Sequence, residues 1–154
     1  RHAGESKLTT NVAWEFALLL ADKLVGRWVP VRFLSFAFVG ALGVAVHFFV
    51  LTALLKGLGV AFLAAQAIAT GTAIVYNYTL NNVLTYVDRP RRGSRWFTGL
   101  LSFAAICSVG AIANVGVASF MFERASAWQV AALAGILVGA VWNFAVSNVY
   151  TWRR

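Results

Sequence analysis

Asn77, Asn81 and Asn82 sit in an otherwise apolar stretch, and Asn143, Ser147 and Asn148 stand at matching places 66 positions later. A buried amide without a partner is costly, so these groups must bond to each other, to water or to a ligand. They can glue helices together, or they can form a polar niche that accepts a lipid phosphate or a sugar without placing full charge in hydrocarbon. Arginines adjoin both sets: Arg89, Arg91, Arg92 and Arg95 after the first, Arg153 and Arg154 after the second. These supply the countercharge that an anionic lipid needs. His47 is the one side chain inside the apolar runs that could take up a positive charge, and its counterpart Asn114 cannot carry a proton, which favours a packing role. No carboxylate or basic side chain lies within the runs, which argues against an ion-coupled pump or a small multidrug-exporter-like antiporter. Cys107, the single cysteine, cannot form an intrachain disulfide and reads as a small packing residue.

The elements that must carry these side chains are membrane helices. Of 154 residues, 60% are hydrophobic and only 12% charged, too few charges to coat a water-exposed globule. The net charge of +8 would suggest nucleic acid in a soluble chain, but here the basic residues lie between apolar runs, so no nucleic-acid partner is expected. Charge-free runs cover Phe33–Leu55, Gly57–Val87, Trp96–Phe122 and Ala125–Trp152, with lengths of 23, 31, 27 and 28 residues. Each exceeds the ~20 residues that a helix needs to cross hydrocarbon. Pro30 and Pro90 lie outside them, where they break no helix. The expected fold class is therefore an all-α membrane protein with four transmembrane helices.

Arg1, Lys7, Lys23, Arg27, Arg32, the four loop arginines, Arg153 and Arg154 fall on one side of such a bundle, and only Lys56 and Arg124 on the other. The positive-inside rule then places both termini and the middle loop in the cytoplasm of a bacterial or archaeal plasma membrane. Residues 11–31 contain an apolar stretch broken by Glu15, Asp22, Lys23 and Arg27, as in an amphipathic interfacial helix. The chain opens on Arg1 rather than Met, which reads as a piece of a longer protein.

The two halves repeat. Val75–Tyr86 aligns with Val141–Trp152 at five identical positions of twelve, with three further aromatic pairs. In the preceding spans Ser35, Gly43, His47 and Thr52 align with Ser102, Gly110, Asn114 and Ser119 at an offset of 67. Two spans per unit make the repeat parallel rather than inverted. Small residues recur every fourth position, as Ala65, Ala69 and Ala73, and again as Ala131, Gly135 and Gly139. That spacing keeps them on one face and permits close helix contact, within the bundle or in a homo-oligomer.

On these residues the chain from 32 to 154 resembles the GtrA-like family, small four-span proteins of polysaccharide and glycolipid assembly. Each half of that family ends in N-x-x-x-N-basic-x-aromatic-T-aromatic. The first copy here has Asn77, Asn81, Thr85 and Tyr86; the second has Asn143, Thr151 and Trp152. Asn82 and Asn148 stand where the family carries a basic residue, and Ser147 replaces the second Asn of the later copy. Arg1–Leu8 is similar to the R-x-x-G-x-S-K/R-L segment that closes the catalytic domain of polyprenyl-phosphate (dolichyl-phosphate) mannose synthases of the GT-A fold. The resemblance implies that residues 1–10 are the edge of such a glycosyltransferase domain, with Arg1 and Lys7 near the acceptor phosphate and Ser6 as a hydrogen-bond donor. A divalent metal such as Mg or Mn belongs to that domain, and no cofactor is expected in this segment, which lacks an aspartate-rich motif.

The expected function is the membrane domain of an enzyme that moves mannose from GDP-mannose to a polyprenyl phosphate. Its lipid-phosphate residues would be Arg1, Ser6, Lys7, Arg89, Arg91, Arg92 and Arg95, with a fused or associated glycosyltransferase as partner. The competing expectation is a GtrA-like translocase that flips a polyprenyl-linked sugar.

Overall fold

The computed structural model describes residues 29–124 and 127–153, with Phe16, Leu19, Leu20 and Lys23 ahead of them. Those four are helical and exposed; the rest of the expected interfacial helix, and Arg1, Ser6 and Lys7, lie outside the described residues. Helix α1 spans Val31–Thr52, α2 Phe62–Leu80, α3 Ser94–Glu123 and α4 Trp128–Tyr150. Among the described residues there is no strand.

Pro30 starts α1 with its φ of −56°, a value its ring enforces. Its carbonyl accepts from the Phe33 and Leu34 amides at 2.8 and 3.3 Å. The helix runs into a π-helical turn, Ala53–Gly57, and the chain reverses at Gly59, whose φ of +63° is open to glycine at no steric cost. Gly93, at φ +57°, likewise turns the arginine loop into α3. Helix α2 ends in a second π-helical turn, Asn81–Thr85.

Among the described residues, three helices are long and apolar enough to cross a membrane: Val31–Gly57, Ser94–Glu123 and Val130–Tyr150. Helix α2 falls outside that group. Its 19 residues include Gln66, Asn77 and several threonines and tyrosines, which dilute its apolar character below that of its neighbours. The apolar surface faces outward: Phe49, Leu63, Leu101 and Ile112 are each more than 70% exposed, which suits a lipid surround and no aqueous one.

Helix α1 packs along α2 and α3 along α4, while the two hairpins meet each other more narrowly. In α4 the small-residue stripe faces α3. A Cβ at Gly135 would collide with Asn114, and one at Gly139 would come within 3.1 Å of the Gly110 carbonyl. Ala65 and Ala69 of α2 are fully buried. Closely packed backbones are what binds helices in lipid, where no hydrophobic drive operates between them. The hairpins share an aromatic core of Phe36, Tyr78, Tyr86, Phe103 and Trp152. Phe36 meets Phe103 edge-on at 6.2 Å between centroids, and Tyr78 lies 5.4 Å from Trp152. This core occupies the end of the bundle that carries the arginine loop.

Candidate functional site

The arginine end is built from matched pieces of the two hairpins. Inside the first, the Ser35 and Thr85 hydroxyls bond at 2.9 Å; inside the second, Ser102 and Thr151 bond at 3.0 Å. The Asn77 amide presses on Gly43 of α1, and the Asn143 amide on Gly110 of α3. Both glycines are required by that contact, since a Cβ on either would collide with the amide. At the helix ends, Tyr86 N–H donates to the Asn81 carbonyl at 2.8 Å and Trp152 N–H to the Ser147 carbonyl at 3.0 Å. The two aromatic rings so placed stack on each other, 4.1 Å apart and 8° from parallel. Residues aligned in sequence thus make matching contacts.

The polar residues expected to form a niche are brought together, and their bonds run within the chain. Asn81 Nδ2 donates to the Asn77 carbonyl at 2.9 Å, and its Oδ1 accepts from Thr85 at 2.8 Å. Asn82 Oδ1 accepts from the Arg91 amide at 2.7 Å and from Trp152 Nε1 at 3.1 Å, while its Nδ2 donates to the Arg91 carbonyl at 3.0 Å. One side chain therefore holds the arginine loop against the end of α4. Asn148 Oδ1 accepts from the Arg89 guanidinium. Asn77 Oδ1, Asn143 Oδ1 and Ser147 Oγ are buried without a hydrogen-bond partner.

The arginines divide by what they touch. Arg91 Nε donates to the Thr151 carbonyl at 2.7 Å and its Nη2 to the Arg153 carbonyl at 3.2 Å, so its fork caps the open end of α4. Arg92 and Arg95 are exposed. Arg89 reaches under the bundle end, its guanidinium carbon 5.3 Å from the Tyr86 ring centroid. Arg32, expected in the basic collar of this face but not among the lipid-phosphate residues, stands 5.7 Å from the same centroid and pairs with Asp88 at 3.2 Å. Tyr86, Asp88 and Arg32 were thus missed as members of this cluster. The available signal was that Arg32 opens the first span while Asp88 and Arg89 close the second, which puts them at one membrane face. His47 lies edge-on to Phe48 at 5.6 Å, and Cys107 is a free thiol against the aromatic core.

Such an end can hold an anion beside hydrocarbon: guanidinium groups gather at the rim of a bundle with no charged side chain in its interior. No curated protein matches the chain closely. A family model described as the transmembrane domain of GtrA/DPMS matches residues 35–152, from the first hydroxyl of the Ser35–Thr85 pair to the stacked Trp152. The chain belongs to the GtrA/DPMS transmembrane-domain family.

Proposed function

We propose that this chain is the membrane domain of a polyprenyl-phosphate glycosyltransferase, anchoring a GT-A catalytic domain and presenting it with a lipid acceptor at the cytoplasmic leaflet. In this reading all four helices span the membrane as two parallel two-helix repeats, and α2, the least apolar, is sheltered by its neighbours and by lipid-facing residues such as Ile68. Both termini and the arginine loop face the cytoplasm of a bacterial or archaeal cell. The observation that carries the reading is the collar of arginines above an uncharged bundle. A polyprenyl phosphate must keep its tail in hydrocarbon while its phosphate reaches a water-soluble active site, and this arrangement meets both demands. Arg1, Ser6 and Lys7 would meet the phosphate from the catalytic side, Arg89, Arg92 and Arg95 from the membrane side, with Arg91 holding the loop in place. The divalent metal, Mg or Mn, belongs to the catalytic domain. Mannose from GDP-mannose is the donor that the Arg1–Leu8 resemblance favours.

Mannosyl transfer by the full-length parent, measured with long and short polyprenyl phosphates, tests this. Deleting residues 33–154 should spare transfer to a short soluble acceptor and abolish it for a long one. If the intact parent transfers no sugar, the translocase reading takes its place. A cysteine at the exposed Arg92 position that labels readily from outside intact cells would reverse the topology.

A further inference from the structure

Among the buried donors that the fold leaves unused at the arginine end are the Tyr86 hydroxyl and Arg89 Nε. The Tyr86 side chain is completely buried, yet its hydroxyl has no hydrogen-bond partner, and neither does the buried Nε of Arg89. Trp152 covers one face of the Tyr86 ring in a parallel stack, which leaves the other side to the Arg32 and Arg89 guanidinium groups. Two guanidinium groups thus stand over the ring that carries the unpaired hydroxyl, and the only anion supplied there by the described residues is the Asp88 carboxylate. Asp88 engages Arg32 alone, through one oxygen, with both side chains about two-fifths exposed (38% and 39%). A pair so open to solvent is weak and exchanges readily.

The geometry points to a phosphate-monoester site formed by Arg32, Arg89 and the Tyr86 hydroxyl, in which Asp88 is an internal stand-in that the incoming phosphate displaces. A phosphate monoester brings three acceptor oxygens and close to two charges, enough to take the Arg32 fork, Arg89 Nε and the phenol together. The single carboxylate oxygen that Asp88 now offers satisfies one of them. Arg91 is left out because its Nε and Nη2 already hold the Thr151 and Arg153 carbonyls just past α4. The site rests on the lipid-phosphate reading above for its lipid source, but the same chemistry would accept free phosphate.

Binding to the detergent-solubilised chain is measured by native mass spectrometry with four probes: a C55 polyprenyl monophosphate, the neutral C55 alcohol, phosphatidylglycerol and inorganic phosphate. Asp88→Asn should tighten the polyprenyl monophosphate about threefold, whereas Glu123→Gln, the same charge change at the far end, should leave it unchanged. Arg32→Gln and Arg89→Gln should each weaken it about tenfold, the scale of one charge-assisted contact, and Tyr86→Phe about threefold. Lys56→Gln, equal in charge but exposed at the far end of the bundle, should have little effect. Should Arg89→Gln unfold through loss of its Asn148 bond, Asp88→Asn and Arg32→Gln decide the matter.

If Lys56→Gln weakens binding as much as Arg32→Gln, or Asp88→Asn weakens it, the site is wrong although the lipid reading stands. If inorganic phosphate follows this variant pattern while the polyprenyl monophosphate does not bind, the site stands and the lipid reading fails; if phosphatidylglycerol, a diester, follows it in the monophosphate's place, the monoester site is wrong. Binding of the neutral alcohol as tightly as the monophosphate overturns both.

Discussion

The two helical hairpins solve the same packing problem and then diverge at their ends. Each closes with a hydroxyl pair, Ser35–Thr85 or Ser102–Thr151, and each seats an asparagine amide on a glycine, Asn77 on Gly43 or Asn143 on Gly110. These contacts lie inside a hairpin, where each serves its own pair of helices. The differences lie where one hairpin meets the other. Asn82 clamps a loop backbone and an indole N–H, whereas Asn148 receives one guanidinium. Trp152 finds a partner for its polar edge and its stacking mate Tyr86 does not. The small-residue faces also differ: α2 presents Ala65 and Ala69, while α4 presents Gly135 and Gly139 close against the α3 backbone. A duplicated hairpin keeps what folds it. The junction, which has no counterpart within a single hairpin, is where the halves specialise and where an unpaired donor survives.

The largest break in the comparison should come from the glycine face. Replacing Gly135 and Gly139 together with Leu drives side chains into Asn114 and the Gly110 backbone. Overpacking of this kind costs about 1–3 kcal/mol per site and sometimes more, so the double variant should lose its cooperative melt in detergent. Gly71→Leu and Gly116→Leu, which meet open space, should melt like the parent. Equal behaviour of both pairs would mean that the α3–α4 contact is not the tight one.

The asparagine pair comes next. Asn82→Ala strips partners from the Arg91 amide and the Trp152 indole at once, and each stranded buried donor costs about 1–3 kcal/mol. Asn148→Ala removes a single bond from a guanidinium that is only partly buried, and should cost clearly less. Chemical-denaturant midpoints of the two variants would show the difference, and an equal loss would mean that the two ends are equivalent after all.

Among the hydroxyls, Thr85 bonds both Ser35 and Asn81, whereas Thr151 bonds only Ser102. Thr85→Val should therefore destabilise more than Thr151→Val, by about the 0.5–1.5 kcal/mol of one net hydrogen bond, since the extra bond runs to Asn81 in the same turn. The smallest contrast is between Ser35→Ala and Ser102→Ala. Ser35→Ala leaves Thr85 its bond to Asn81, while Ser102→Ala strips the buried Thr151 hydroxyl of its one side-chain partner, so the second loss should be slightly the larger in a denaturation experiment. Equal losses would show that the Asn81 bond does not back up the first pair.

The helices and their common polar end were legible in the residues. Long uncharged runs must hydrogen-bond their own backbone in lipid, and the helix is the local way to do so. The repeat, visible in the aligned asparagines, threonines and glycines, already indicated that residues 66 or 67 apart would do similar work. Helix α2 shows the limit of that reasoning. Counting only charges extends its run to 31 residues, but the helix itself is the 19 residues from Phe62 to Leu80, with enough uncharged polar groups to separate it from the three apolar helices. Which polar groups are spent was not legible either. Asn82 resembles Asn148 in the alignment, and Arg91 resembles Arg92, yet one member of each pair is locked into the junction and the other is freer.

Sequence alone therefore determined the class of solvent, the helical backbone, the doubled motif and the gathering of arginines, because each follows from local composition and from periodicities of a few residues. Only the tertiary structure decided that Asn82 is a clamp, that Arg91 caps a helix, and that Arg32, Asp88, Arg89 and Tyr86 share one spot. Those assignments depend on which donor reaches which acceptor across residues up to 70 positions apart, and a hydrogen bond is settled by distance and angle in space, which residue type does not encode.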